Sequence, residues 1–214
     1  VKIFGEKYVI PPYCKFLLSD WKQLLQLHTV DANKYDLIVI DPPWKNKSVK
    51  RKKSYDTLWE DTLLDLPVTK LVNPGCLIVI WVTNKTRLHA FIENTLVEKW
   101  QLQQCVQWHW LKITRGGELI CDINSNKKPF ETLFIGRYDN SLTNQYSTVP
   151  NHRTIISIPC SLHSKKPSLA EILKPYLPEK PECLELFARN LQSNWTSWGN
   201  EVLKHQHLEF FDVT

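Results

Sequence analysis

Methionine is absent from all 214 residues, where typical usage would supply about four. That absence and the opening Val1 predict a piece of a longer chain. Glycine is scarce, with 6 residues against 13 prolines, which excludes a collagen-like repeat or a glycine-rich disordered chain. No Gly-x-Gly-x-x-Gly loop occurs, so the usual phosphate-cradling fingerprint is missing. Long apolar runs are missing too. The longest are Asp36-Leu-Ile-Val-Ile40 and Cys76-Leu-Ile-Val-Ile-Trp-Val82, far short of a membrane span, and no signal-peptide pattern opens the chain. The six cysteines, Cys14, Cys76, Cys105, Cys121, Cys160 and Cys183, form no C-x-x-C pair. They read as reduced, structural thiols of an intracellular protein, and no Cys/His set has zinc-ligand spacing.

What remains is an ordinary globular composition, 43% apolar and 23% charged, with a net charge of +5. The length suits a single domain over 1–214. Apolar runs alternate with amphipathic segments, the pattern of an α/β sheet with helices on both faces. Strands are expected at 36–41, 76–82, 105–113, 131–138, 154–159 and 182–188, and helices at 19–28, 85–99 and 167–177. Ser19 reads as an N-cap before Asp20, and Ser168 as a competing cap beside Pro167. Loops fall at 45–56, 115–130 and 139–153. The first carries Lys45, Lys47, Lys50, Arg51, Lys52 and Lys53, with no acid among them. Such a run is either a solvated face or a grip on phosphates.

Asp41-Pro42-Pro43-Trp44 follows directly on the run Asp36–Ile40. A carboxylate and a carbonyl fixed by prolines are two acceptors at short range, because proline locks φ and carries no N–H. Together they can hold both N–H bonds of a conjugated amine and turn its lone pair toward an electrophile. The Trp44 ring offers a flat face on which a base can stack, worth roughly 1–3 kcal/mol. The plain alternative is a strand ending in a Pro-Pro turn with a buried tryptophan. Position favours the chemical reading, since ligands of open α/β sheets bind outside the carboxyl ends of strands.

This tetrad resembles that of the MT-A70 family of adenine N6-methyltransferases. The likeness continues through Trp81-Val-Thr-Asn84, Trp110-Leu-Lys112, Leu162-His-Ser-Lys-Lys-Pro167, Glu185-Leu-Phe-Ala-Arg189, Asn194-Trp195 and Trp198-Gly-Asn200. Within the family, Asn46-Lys-Ser-Val-Lys-Arg51, Ile158-Pro-Cys160 and Trp195-Thr-Ser-Trp-Gly-Asn-Glu201 resemble the methyltransferase-like-four branch. The resemblance implies a Rossmann-like class I methyltransferase sheet with permuted motif order, the catalytic tetrad preceding the cofactor block at 185–189. It also implies the C-terminal catalytic part of a longer nuclear protein, with the cytoplasm as an alternative location.

The implied cofactor is S-adenosylmethionine. Arg189, Asn190, Asn200 and Glu201 would hold its ribose and adenine ends, Lys166 its carboxylate, and Lys15 and Phe16 would border its adenine through backbone groups. Asp41 would face donor and substrate together. The substrate side would draw on Trp44, Asn46, Lys47, Lys50, Arg51, Tyr55, Trp81, Glu131, His163 and Lys165, with Lys127 and Lys128 adding positive charge. The implied substrate is an adenine in single-stranded RNA, specifically 2′-O-methyladenosine of spliceosomal small nuclear RNA. DNA adenine is one alternative, and a non-catalytic RNA-binding scaffold is another. No metal and no membrane contact are expected, and the chain is read as a monomer, a partner subunit being the alternative.

Overall fold

The apolar runs form the middle of one sheet. A computed structural model describes residues 1–24, 34–44, 60–138, 147–162 and 164–211. Its strands are β1 (Lys2–Ile3), β2 (Glu6–Lys7), β3 (Lys15–Leu18), β4 (Tyr35–Ile40), β5 (Val72–Val82), β6 (Leu102–Lys112), β7 (Phe130–Tyr138), β8 (His152–Ser157), β9 (Cys183–Leu186) and β10 (Trp195–Gly199). β1 and β2 make a small antiparallel hairpin, and the others form an eight-stranded sheet in the order β3-β10-β9-β4-β5-β7-β6-β8. All of its pairings are parallel except those of β7, which runs against both neighbours.

The six expected strands correspond to β4–β9, while β3, β10 and the hairpin carry too little apolar pattern to stand out. The expected helix at 85–99 is continuous, with one wide π turn over Ile92–Leu96. The helix expected at 167–177 shrinks to Ala170–Leu173 followed by a 3₁₀ turn, Lys174–Tyr176. Pro175 lies in that turn and has no N–H with which to continue an α-helical ladder. The first helix begins at Trp21, one residue later than a Ser19 cap requires. Asp20 takes the capping role: its Oδ1 accepts the Lys22 N–H at 3.2 Å, while the Ser19 hydroxyl bonds to the Gln23 side chain instead. Residues 25–28 of that expected helix lie outside the described residues. No described helix is long and apolar enough to cross a membrane.

Strand periodicity of two sorts the core into two layers. Ile38 and Ile40 of β4 pack with Leu63, Val68, Leu88 and Ile92 on one face, whereas Leu37 and Val39 pack with Leu169, Leu173 and Tyr176 on the other. Burying each such side chain contributes roughly 1.5–3 kcal/mol. β6 alternates as expected, with Val106, Trp108 and Trp110 buried and their neighbours partly open. Helices therefore lie on both faces, as a Rossmann-like methyltransferase fold requires.

Topology decides where a ligand can bind. The chain leaving β4 crosses to β5 on one side, and the chain leaving β9 crosses to β10 on the other. The gap between the carboxyl ends of β4 and β9 is therefore the switch point, where open α/β sheets take ligands. At that edge Phe187 turns the chain out of β9 at φ 59°. Its neighbour Ala188 donates its N–H to the Trp198 carbonyl at 3.0 Å. Gly199 makes this approach possible, since a Cβ there would lie 2.6 Å from the Ala188 carbonyl oxygen. Gly199→Ala should destabilise the protein by about 1–3 kcal/mol, the cost of overpacking against backbone. Chemical denaturation checks this, and an unchanged midpoint would show that the loop gives way freely.

Candidate functional site

Asp41 stands at the end of β4, 7% exposed, in the switch-point gap. A carboxylate so placed needs partners, and two cations supply them. Arg189, just beyond β9, donates from Nη1 to Asp41 Oδ2 at 2.8 Å. Lys166 Nζ lies 3.3 Å from Asp41 Oδ1. The pairing continues outward in both directions. On one side Lys166 also meets Glu131 Oε2 at 3.1 Å, and Glu131 in turn holds Lys112. On the other, Arg189 Nε lies 3.5 Å from Glu201, which binds Lys204 at 2.7 Å. Seven alternating charges thus run from the end of β6, past the ends of β4 and β9, to the turn after β10.

This order sets the charge states. Burial alone would lower the Lys166 pKa, but Asp41 and Glu131 hold it above the usual lysine range. Burial alone would likewise raise Glu131, but Lys166 and Lys112 hold it below the usual carboxylate range. Both groups are thereby kept ionised. Asp41 retains free lone pairs despite its two partners, because an ionised carboxylate offers about four acceptor positions. It can therefore accept a substrate N–H without releasing either cation.

A cavity of about 310 Å³ opens beside Lys166, at the lower end of the range that takes small ligands. Trp81, Lys165, Glu185, Asn190 and Gln192 are among its walls. The Lys166 ammonium sits 5.5 Å from the centre of the Trp81 ring. Cations for a carboxylate, a carboxyl group for an ammonium, and side-chain amides for hydroxyls all meet here. That donor set fits S-adenosylmethionine, whose amino-acid end carries both charges and whose ribose carries hydroxyls. Among the described residues no group of His, Cys, Asp or Glu could hold a metal ion.

The expected site residues divide into three groups. Asp41, Lys166, Arg189, Glu131 and Glu201 come together in one network, and Trp81, Lys165 and Asn190 line the cavity beside it. Asn200 is exposed at the carboxyl end of β10. Lys15 and Phe16 do not reach this edge. Parallel pairing aligns them with Thr196 and Ser197, well short of Asn200, so the residues of that segment at the carboxyl edge of the sheet are Leu18 to Asp20. Trp44 is only 6% exposed and packs in the core, its Nε1 donating to the Trp81 carbonyl at 2.7 Å. It pins the tetrad to β5 rather than offering the open stacking face expected of it. Pro42 has a buried side and Pro43 is half-buried, and the Pro42 carbonyl already accepts the Trp44 N–H at 2.7 Å. Asn46, Lys47, Lys50, Arg51, Tyr55 and His163 lie outside the described residues.

Comparison with known proteins agrees with this geometry. The MT-A70 family profile matches residues 35–201, spanning β4 through the turn after β10. The chain belongs to the MT-A70 family. It is similar to the human N(6)-adenine-specific methyltransferase METTL4, at 46% identity over 99% of this chain and 46% of that protein. It is also 38% identical to the N6-methyladenosine RNA methyltransferase MTA1 of Cryphonectria parasitica, over 85% of this chain and 55% of the relative. A DNA N6-methyl methyltransferase of Caenorhabditis elegans is 36% identical over 95% of this chain and 56% of its own length. The chain spans about half the length of the curated relatives it matches.

Sequence reasoning about this MT-A70 chain passed over Glu185 and Lys112, although both stand in motif blocks. Glu185 pairs with Val39 across β9 and β4, so it lies on the same face as Asp41 and one strand away. Burial and then the Asp41 charge push its carboxyl up to about 7, against the pull of a Gln192 hydrogen bond, Arg189 and Lys166. The unfolded chain would ionise it near the ordinary 4.5. Between those values the fold binds the proton and the unfolded chain does not. The stabilisation is therefore complete at acid pH and is lost as pH rises through about 7. Glu185→Gln, neutral throughout, should lack this loss. Thermal melting of both proteins at about pH 5 and about pH 8 should show the variant gaining on the wild type as pH rises. Equal differences at the two pH values would mean that Glu185 does not titrate in this way.

Proposed function

We propose that this protein transfers the methyl group of S-adenosylmethionine to the N6 amine of adenine in single-stranded RNA, with 2′-O-methyladenosine of small nuclear RNA as the preferred site. The observation that carries the reading is the Asp41 carboxylate, buried at the switch point and fixed by Arg189 and Lys166 on separate oxygens. When bound, S-adenosylmethionine supplies a methyl group already activated on a sulfonium. The protein's task is then orientation and electrostatics. Asp41, locked by its two cations, would accept an N6–H bond and turn the nitrogen lone pair toward the donor. The donor would supply the methyl carbon and keep the C–S bonding pair on its sulfur, while the Asp41 carboxylate would take up the surplus N6 proton. Lys166 would receive the donor's carboxylate, while Asn190, Asn200 and Glu201 would face its nucleoside end.

Support for the nucleic-acid class comes from the family and from the relatives' names, which include both an RNA and a DNA enzyme. Resemblance to the methyltransferase-like-four branch favours RNA. The cationic run that follows Trp44 in the sequence would add sequence-independent grip on phosphates. The tetrad before the cofactor block fits a permuted order of the class I motifs, since β9 and β4 are sheet neighbours.

The test is methyl transfer to matched single-stranded oligonucleotides carrying adenosine, 2′-O-methyladenosine or deoxyadenosine at one site. Asp41→Asn should lower turnover by at least about 10²–10³, with donor binding and the folded spectrum retained. Faster transfer to the 2′-O-methyl substrate supports the full proposal, whereas preference for deoxyadenosine would make it a DNA enzyme. Donor binding without transfer to any of the three would sink the reading.

A further inference from the structure

Gln206 stands where three stretches of chain meet, and it is only 5% exposed. Its Nε2 donates to the Val9 carbonyl at 2.6 Å, and its Oε1 accepts the Leu191 N–H at 3.2 Å. Its own carbonyl receives the Val9 N–H at 2.8 Å, so the amino-terminal segment is gripped by backbone and side chain together. Val9, Leu191 and Gln206 all line the cavity that Lys166 and Asn190 also line.

Leu191 lies in the stretch that carries Arg189 and Asn190 from the carboxyl end of β9 to the amino end of β10. That stretch has no regular ladder of its own. It turns sharply at both ends, with Phe187 at φ 59° and Asn194 at φ 63°. Its backbone donors must find partners elsewhere. For the buried Leu191 N–H the partner is Gln206. Nearby, Ala188, Leu191, Val202 and Leu203 form a small core of their own, against which Ile3, Tyr8 and Ile10 pack. The amino-terminal segment is therefore an outer wall of the cavity, and one carboxamide joins that wall to the loop after Arg189.

We propose that Gln206 is a positioning residue for the methyl donor: by tying Leu191 to Val9 it sets where Asn190 and Leu191 stand against the cavity. The inference rests on the cavity being the donor site. Gln206→Leu keeps the bulk and removes both side-chain bonds, while Gln206→Glu keeps an acceptor for the Leu191 N–H and loses the donor to Val9.

The experiment measures S-adenosylmethionine affinity by calorimetry, and KM for donor and oligonucleotide separately, in the wild type and both variants. For Gln206→Leu the donor Kd and donor KM should rise about tenfold. The oligonucleotide KM should stay within about twofold, and kcat at saturating donor should hold, because the change is confined to ground-state donor binding. Gln206→Glu, which keeps the Leu191 bond but breaks the tie to Val9, should raise the donor Kd measurably but by less than Gln206→Leu, and it carries the test alone if Gln206→Leu does not fold. Unchanged donor affinity in a folded Gln206→Leu protein would overturn the inference, as would equal rises in both KM values with a matching fall in kcat. A wild type that binds no donor would overturn the donor reading of the cavity and this inference with it. Wild-type binding with indifferent variants would overturn this inference alone.

Discussion

A carboxylate buried at the switch point of the sheet is the constraint from which the rest follows. Asp41 cannot sit 7% exposed without counter-charges. Its two partners come from Arg189, 148 residues away in the chain, and from Lys166. Breaking a buried pair by removing one partner typically costs about 3–5 kcal/mol, because a charge is left stranded. The pairing therefore links the geometry of the candidate site to correct assembly of β4 beside β9. A chain that misplaced either strand would leave Asp41 alone among apolar neighbours.

Among the described residues the network around Asp41 holds four cations and three carboxylates, a slight positive surplus. That surplus suits a site that would receive a carboxylate-bearing donor and a polyanionic substrate. Position along the chain of charges also separates roles. Asp41 and Lys166 are inner members, each with two opposite charges, whereas Lys112 and Lys204 are outer members, Lys204 being the more exposed. Losing an inner residue uncouples both of its neighbours. Non-additive effects of double substitutions inside the network follow from this.

The parts legible in the sequence were those carried by local pattern. The run Asp36–Ile40 announces a doubly buried strand, and the tetrad at its end announces chemistry. Arg189, Lys166 and Glu131 could be named through the family blocks, although nothing local says that they converge on one carboxylate. Register and direction were not legible. Trp195–Gly199 is a buried strand with a Thr, a Ser and a terminal Gly, so its apolar alternation is weak. Lys15 and Phe16 follow the right segment, but only its parallel pairing with β10 reveals that the other end of β3 lies at the carboxyl edge of the sheet. The Trp44 ring could face a base or the core, and its hydrogen bond to the Trp81 carbonyl selects the core.

Glu185 shows why the same chemistry can differ one strand away. Asp41 and Glu185 lie on one face of neighbouring strands, separated by the step from Val39 to Asp41. Asp41 meets two cations, whereas the Glu185 carboxylate accepts a hydrogen bond from the neutral Gln192 amide at 3.2 Å. Gln192 in turn accepts from Ser168, which ties the carboxyl to the segment following Lys166. Two carboxylates so close resist being charged together, and the one without a direct cation is the one pushed up to about 7. Divergent environments of this kind mark the division of labour in acid–base sites. On the proposed reading, the division would leave Asp41 to face the amine and Glu185 able to take charge when a cation enters the cavity. A sulfonium donor with an ammonium group is such a cation, so its binding would draw the Glu185 proton off and link donor affinity to pH near neutrality.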